Sequence, residues 1–235
     1  MKISVALAAC NGEKYITEQI NSILSELGPG DEIVISDDNP GGKTAECVRQ
    51  IADSRIKYIE GPGKGVTENF ENALKNTDGD IIFLCDQDDV WLPGKVNAVL
   101  DEFSKGSNLV LHNAKITDAV LNETGKTVFE LYHPTDSFLK NLLSNSFVGC
   151  CMALDKSVLD LALPIPGKAP MHDWYIALAA MLRGKKISFI DEPLMLWRRH
   201  DANVTGKKTT FAQKLKFRIN MIGSILTVCH GKDKR

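Results

Sequence analysis

Four short apolar runs, each closed by polar or acidic residues and followed by an amphipathic stretch, constrain this chain more than any other feature. Ile3–Ala9, Glu32–Ser36, Ile56–Ile59 and Asp80–Cys85 have the length and composition of buried strands. Glu13–Leu27, Thr44–Ala52 and Thr67–Lys75 lie between them, and Gly94–Phe103 follows the fourth. In the first of these helices Ile16, Ile20, Ile23, Leu24 and Leu27 fall at helical spacing, and Gly28-Pro29-Gly30 ends it. Strand–helix alternation with short connections predicts a mostly parallel central sheet covered on both faces, a three-layer α/β/α arrangement. Ligands of such sheets sit beyond the carboxyl ends of the strands.

Two acidic turns occupy that edge. Asp37-Asp38 closes the second run, and the fourth leads through Cys85 into Asp86-Gln87-Asp88-Asp89-Val90-Trp91. Carboxylates packed this closely repel one another, and a hard divalent cation with phosphate is the usual compensation. Taken alone, the second turn is equally an acid-rich loop in which Asp88 or Asp89 caps the next helix. Convergence of two separate acidic turns on one crevice is what that plainer account does not predict.

The second half is less regular. Leu109–Lys115, Gly149–Leu154, Ile187–Ile190 and Leu194–Arg198 read as strands, Phe138–Leu143 and Asp173–Arg183 as helices, and Ile116–Val128 carries hairpin-like punctuation at Asn122 and Gly125. No repeat or linker interrupts the chain, so residues 1–206 form one domain and 207–235 an appended tail. At 235 residues, 43% hydrophobic and 25% charged, the composition is that of a soluble globular protein with a well-buried core. A formal net charge of −2 gives no reason to expect nucleic acid as a partner. Six cysteines without metal-ligand or redox spacing point to reduced thiols in a cytoplasmic protein. No apolar segment approaches bilayer-spanning length.

The motifs, in their order, resemble family 2 glycosyltransferases of the GT-A fold, of the kind that build bacterial capsule or O-antigen chains. The resemblance is carried by Ile3-Ser4-Val5-Ala6, Asn11-Gly12-Glu13-Lys14-Tyr15-Ile16, Ile35-Ser36-Asp37-Asp38, Gly65-Val66-Thr67-Glu68-Asn69-Phe70 and Asp86-Gln87-Asp88-Asp89-Val90-Trp91. Weaker echoes follow at His172-Asp173-Trp174 and at Arg198-Arg199-His200 with Asn203 and Gly206. Several motifs in the right order are more specific than any one of them.

The resemblance implies a nucleotide-sugar donor, UDP- or dTDP-linked, and a saccharide acceptor. Ala8, Ala9, Asn11 and Glu13 would face the base and ribose, and Asp37 would accept from the pyrimidine N3–H. Lys64, in its glycine-flanked loop, would reach the base or diphosphate, or remain a solvated surface charge. Asp86 and Gln87 are placed on the nucleoside side. Asp88 and His200 would hold Mn²⁺ or Mg²⁺ against the diphosphate. Asp89 either supports that arrangement from behind or caps the helix near Pro93. Asp173 resembles the general base of inverting transfer. Arg198 and Arg199 suit a diphosphate, although two neighbours on a strand cannot both point inward. The sequence departs from the family at Asn39-Pro40-Gly41-Gly42-Lys43, and Cys10 stands where an aromatic residue is usual.

In the tail, Phe211, Leu215, Ile219, Ile222, Leu226 and Cys229 share one helical face, with Lys214, Lys216 and Arg218 toward its flanks. Such a helix lies on an anionic membrane surface, at the inner face of the plasma membrane with an acceptor on a lipid carrier, or packs on the domain or a dimer partner. Two other functions stay open. A sugar nucleotidyltransferase would want a basic glycine-rich loop after the first strand, where Ala8–Glu13 has none. A non-catalytic nucleotide-sugar-binding or assembly protein is kept in play by the altered Asn39–Lys43 run.

Overall fold

The computed structural model of the chain describes residues 1–201, 203 and 210–230, with Cys229 and His230 described by backbone alone. Gly206, the boundary between 206 and 207, and Lys207, Lys208, Lys232, Lys234 and Arg235 of the tail lie outside the described residues.

The first half follows the expected alternation: β1 (Ile3–Ala9), α1 (Ile16–Leu24), β2 (Glu32–Asp37), α2 (Thr44–Ile51), β3 (Ile56–Glu60), α3 (Val66–Lys75) and β4 (Ile81–Asp86). Then come β5 (Val90–Trp91), α4 (Lys95–Ser104), β6 (Leu109–Thr117), β7 (Glu123–Thr127), α5 (Val128–Tyr132) and α6 (Phe138–Leu143). A 3₁₀ turn at Gly149–Cys151 enters β8 (Met152–Asp155), followed by α7 (Lys156–Ala162), α8 (His172–Leu182), β9 (Ile187–Arg198) and α9 (Phe211–His230).

Hydrogen bonding orders the strands β3-β2-β1-β4-β8-β6-β9-β5, with β7 on β6. The registers give β1, β2, β3, β4, β6 and β9 one direction and set β5, β7 and β8 against it. The sheet is therefore mostly parallel. Every residue of β1 is buried, as is β4 from Ile81 to Cys85, which alternating strands with one wet face would not show. Helices supply the cover: α1 seats Ile16, Ile20 and Ile23 against the core, each contributing about 1.5–3 kcal/mol.

Several boundaries differ from expectation for identifiable reasons. α1 starts three residues late because the Gly12 carbonyl accepts the Tyr15 and Ile16 N–H groups, turning the chain before the helix begins. The expected strands at Ile187–Ile190 and Leu194–Arg198 are one strand, β9, with its register broken opposite Asn113 where Pro193 offers no N–H. Asn113 Nδ2 bridges that break by donating to the Asp191 carbonyl at 3.0 Å. The punctuated stretch after β6 is indeed a hairpin, since β7 pairs antiparallel with β6.

Candidate functional site

The carboxyl ends of β1, β2 and β4 lie side by side. Register pairs Ala9 with Asp37 and Ala8 with Asp86, so both acidic turns open at one edge, as the sequence predicts. The loop after β1 is locked to the loop after β4. The Gln87 side-chain oxygen accepts from the Cys10 N–H at 2.8 Å, and its NH₂ donates to the Cys10 carbonyl at 3.0 Å. Gly12 permits this, because a Cβ there would sit 2.2 Å from Gln87 Oε1. The Gly12 N–H donates to Thr44 Oγ1 (2.9 Å), and Asn11, at φ 53°, accepts from Asn39 Nδ2 (2.7 Å). Gln87 thus shapes the loop rather than presenting a free amide to a ligand, and the altered Asn39 run is docked on Asn11. Glu13 is exposed.

On the nucleoside side, Asp37 is fully buried. Its Oδ2 accepts from the Tyr58 hydroxyl (2.8 Å) and its Oδ1 from the Asn39 N–H (3.0 Å). Burial and this carboxylate both push the Tyr58 phenol up, which keeps it a donor. Asp37 does not cap α2, whose first turn is preceded by Lys43 without a side-chain cap. Asp38 organises the glycine loop instead, accepting from the Gly63 and Gly65 N–H groups at 2.9 and 2.8 Å. Lys64, between them, is exposed. The Ala9 carbonyl is taken by Asn69 Nδ2 and by the Asp38 N–H.

Asp88 and His200, 112 residues apart, meet: His200 Nε2 lies 2.8 Å from Asp88 Oδ2, which also accepts from Asn203 Nδ2 at 3.1 Å. The His200 ring stacks on Tyr15 with centroids 4.8 Å apart. Asp89 accepts the Arg198 N–H at 3.0 Å, while its other oxygen is buried without a hydrogen-bond partner. Ligand atoms of Asp86, Asp89 and Cys150 lie within 4.8 Å of one another. Burial and the neighbouring Asp88 push Asp86 up to about 7 and hold Asp89 well above the usual carboxylate range. A pocket of mutually repelling carboxylates with one orphaned buried oxygen is chemically suited to a cation. Asp89 does not cap α4. Glu26 does that, accepting from the Gly94 and Val96 N–H groups.

Of the two arginines, Arg198 points inward and is only 3% exposed. Its Nε donates to the Asp88 carbonyl (2.7 Å), its two NH₂ groups to the Ala119 carbonyl and to Glu18, and its plane lies over the Tyr15 ring. Those bonds make it a strut between β9, the acidic turn and α1 rather than a group waiting for a diphosphate. Arg199 is half-buried with its guanidinium 4.4 Å from the Trp197 ring.

Asp173 sits in the first turn of α8, 4% exposed. Its carboxylate accepts from the Gly149 N–H (3.1 Å), the Trp174 N–H (2.5 Å) and Asn145 Nδ2 (3.4 Å). Burial outweighs these donors and raises its pKa to about 6. Gly149 begins the 3₁₀ turn that carries Cys150, so this turn joins Asp173 to the acidic cluster. His172 beside it is buried, stacked on Phe70 at 3.8 Å, and pushed down to about 3 by burial, a neutral packing residue. Sequence reading missed Tyr58, Glu18, Asn145 and Cys150. Each lies outside the acidic motifs and acquires its role only through a partner distant in sequence.

The sequence profile described as Glycosyl transferase family 2 matches residues 4–161. The chain is 26% identical over 193 residues to the UDP-Glc:alpha-D-GlcNAc-diphosphoundecaprenol beta-1,3-glucosyltransferase WfgD of Escherichia coli, covering 80% of this chain and 73% of that protein. It is 26% identical over 230 residues to the dTDP-rhamnosyl transferase RfbG of Shigella flexneri, covering 89% and 77%. Among solved structures, Staphylococcus aureus TarS 1-349 in complex with UDP-GlcNAc superposes with a TM-score of 0.73 at 19% identity, covering 98% of this chain and 69% of that one. Glucosyl-3-phosphoglycerate synthase from Mycobacterium tuberculosis, in complex with Mn²⁺, UDP and glucosyl-3-phosphoglycerate, superposes at 0.61 with 21% identity, covering 99% and 81%. With the profile spanning more than half its length, the chain belongs to glycosyl transferase family 2 and is a glycosyltransferase of the GT-A fold.

Proposed function

We propose that this chain transfers a sugar, with inversion, from a UDP- or dTDP-linked donor to a saccharide acceptor during assembly of a surface polysaccharide such as capsule or O-antigen. The observation that carries the reading is the meeting of Asp88 and His200 at 2.8 Å, at the sheet edge shared by Asp37 and Asp86. Asp88 and His200 would hold a divalent cation. An imidazole beside a carboxylate suits Mn²⁺ better than Mg²⁺, which prefers oxygen alone. When bound, the ion would neutralise charge on the departing nucleoside diphosphate.

The remaining work falls to the chain itself. Asp37, fixed by Tyr58 and Asn39, retains lone pairs for the N3–H of a pyrimidine. The Gln87-braced loop at Ala8, Ala9 and Asn11 would shape the nucleoside cleft. With Arg198 held as a strut, Arg199 is the arginine we assign to the diphosphate. Asp173 takes the proton of the acceptor hydroxyl, and its three donors aim the carboxylate while burial keeps it basic. Relatives named for UDP-Glc and dTDP-rhamnosyl transfer, and a GT-A neighbour crystallised with Mn²⁺ and UDP, support this reading.

The test is a panel of UDP-, dTDP- and GDP-sugars with and without Mn²⁺, read by thermal shift and donor hydrolysis. Metal-dependent stabilisation by a pyrimidine nucleotide is expected. Silence toward every pyrimidine nucleotide would sink this version of the site. A non-catalytic binder would show the same stabilisation without donor hydrolysis, in the parent and in Asp173→Asn alike.

A further inference from the structure

Helix α9 has two apolar faces, and the protein covers one of them. Met221, Ile225 and Val228 are buried, with the helix packed on α6 and α8. Arg218 Nε donates to the Leu143 carbonyl of α6 (2.8 Å), and Arg183 donates to the Val228 carbonyl. On the other face Phe211, Leu215, Ile219 and Ile222 recur at helical spacing and stay 45–78% exposed. All seven residues from 211 to 217 are exposed, so the first two turns stand clear of the body. α6 adds Leu139 and Leu143, 70% and 62% exposed, beside the point where Arg218 ties the helices together. A surface this apolar marks a contact face.

Charge identifies what it contacts. Phe211–His230 carries Lys214, Lys216 and Arg218 and no acidic residue, and the one charged residue of α6 is Lys140. No helix among the described residues is long and apolar enough to cross a membrane. An apolar stripe with basic flanks and no acids fits the headgroup layer of an anionic bilayer. Its position also matters. α6 runs into Asn145, which donates to Asp173, and the Asn141 carbonyl of α6 accepts from Trp174 Nε1 at 2.7 Å. We propose that α6 and α9 together form a face that docks on an anionic lipid surface and turns the Asp173 side of the crevice toward an acceptor held there. The second half of that statement rests on the function proposed above; the docking does not.

The test uses the full chain in co-sedimentation with phosphatidylcholine vesicles, alone or with about one third phosphatidylglycerol. Binding should need the anionic lipid and weaken in high salt. Lys214→Gln with Lys216→Gln should weaken it about thirtyfold, and Ile219→Glu should abolish it at the same lipid concentration. Ile219→Glu should leave the melting temperature and Mn²⁺–UDP stabilisation unchanged, which separates loss of the face from loss of the fold. No binding to anionic vesicles, or a dimer in solution that Ile219→Glu splits into monomers, would overturn the proposal. Vesicle binding without any nucleotide stabilisation would support this face and defeat the donor reading alone.

Discussion

Gln87 grips the backbone of Cys10 through both ends of its side-chain amide, at 2.8 and 3.0 Å, and so fixes the loop after β1 to the loop after β4. Two such bonds contribute about 1 kcal/mol each. Gln87→Ala should therefore lower the melting temperature by roughly 4–8 °C at this chain length. Gly12→Ala should do at least as much, because its Cβ would strike Gln87 Oε1. Both variants should weaken UDP binding while leaving its dependence on Mn²⁺ intact, which calorimetric titration would show. Unchanged affinity in both would mean the brace does not shape the nucleoside cleft.

Asp88 and His200 should fail together. Asp88→Asn removes a charged ligand and should lower turnover by about a hundredfold or more, several kcal/mol of charge stabilisation. In both Asp88→Asn and His200→Ala the extra thermal stabilisation that Mn²⁺ adds to UDP should vanish. The double variant should be little worse than either single one, since each change disables the same contact.

Asp173 makes a pH prediction with a defined sign. A general base must be ionised, and its pKa is raised to about 6 by burial. The rate should rise tenfold per pH unit below that value and level off above it. Stability should run the other way. A carboxyl whose folded pKa exceeds its unfolded value of about 3.9 favours folding in its protonated form, so its contribution falls between about pH 4 and 6. Asp173→Asn should therefore lose about 10²–10⁴ in rate yet melt no lower than the parent at pH 8. A variant that keeps its activity would remove Asp173 from the mechanism.

The parallel half of the sheet was readable because each strand is a continuous apolar run and each helix carries its own stop signal. β1 and β4 come out at the residues their apolar runs mark, within one position at each end. Two short helices carry start signals of their own: Asp155 precedes α7 and accepts from the Val158 N–H, and a Thr127–Glu130 capping box opens α5. At the site, Asp88, His200 and Asp173 could be picked out from acid spacing and family likeness. That Arg198 rather than Arg199 turns inward could not. Which neighbour turns inward depends on β9 pairing with β6, and on Glu18 and Ala119 arriving from α1 and the β6–β7 hairpin. The place of Asp89 is not legible in the sequence for the same reason, because its partner is a backbone N–H 109 residues away.

Arg198 gives the last prediction. Its guanidinium joins Asp88, Ala119 and Glu18, its own N–H meets Asp89, and the ring of Tyr15 packs against both it and His200. Arg198→Ala leaves the Asp88 and Ala119 carbonyls without these donors and loosens the end of β9 that delivers His200. Glu18 is half exposed and adds little, so the loss is mainly that of the two carbonyls left without a donor, about 1–3 kcal/mol each, at roughly 2–4 °C of melting temperature per kcal/mol. Arg198→Lys should recover little, because an ammonium group cannot span three acceptors set around a planar fork. The two variants should also bind Mn²⁺ more weakly in the folded state, since His200 is no longer held over Tyr15. If Arg198→Lys instead kept full stability and lost only diphosphate affinity, Arg198 would be a ligand residue and the strut assignment would be wrong.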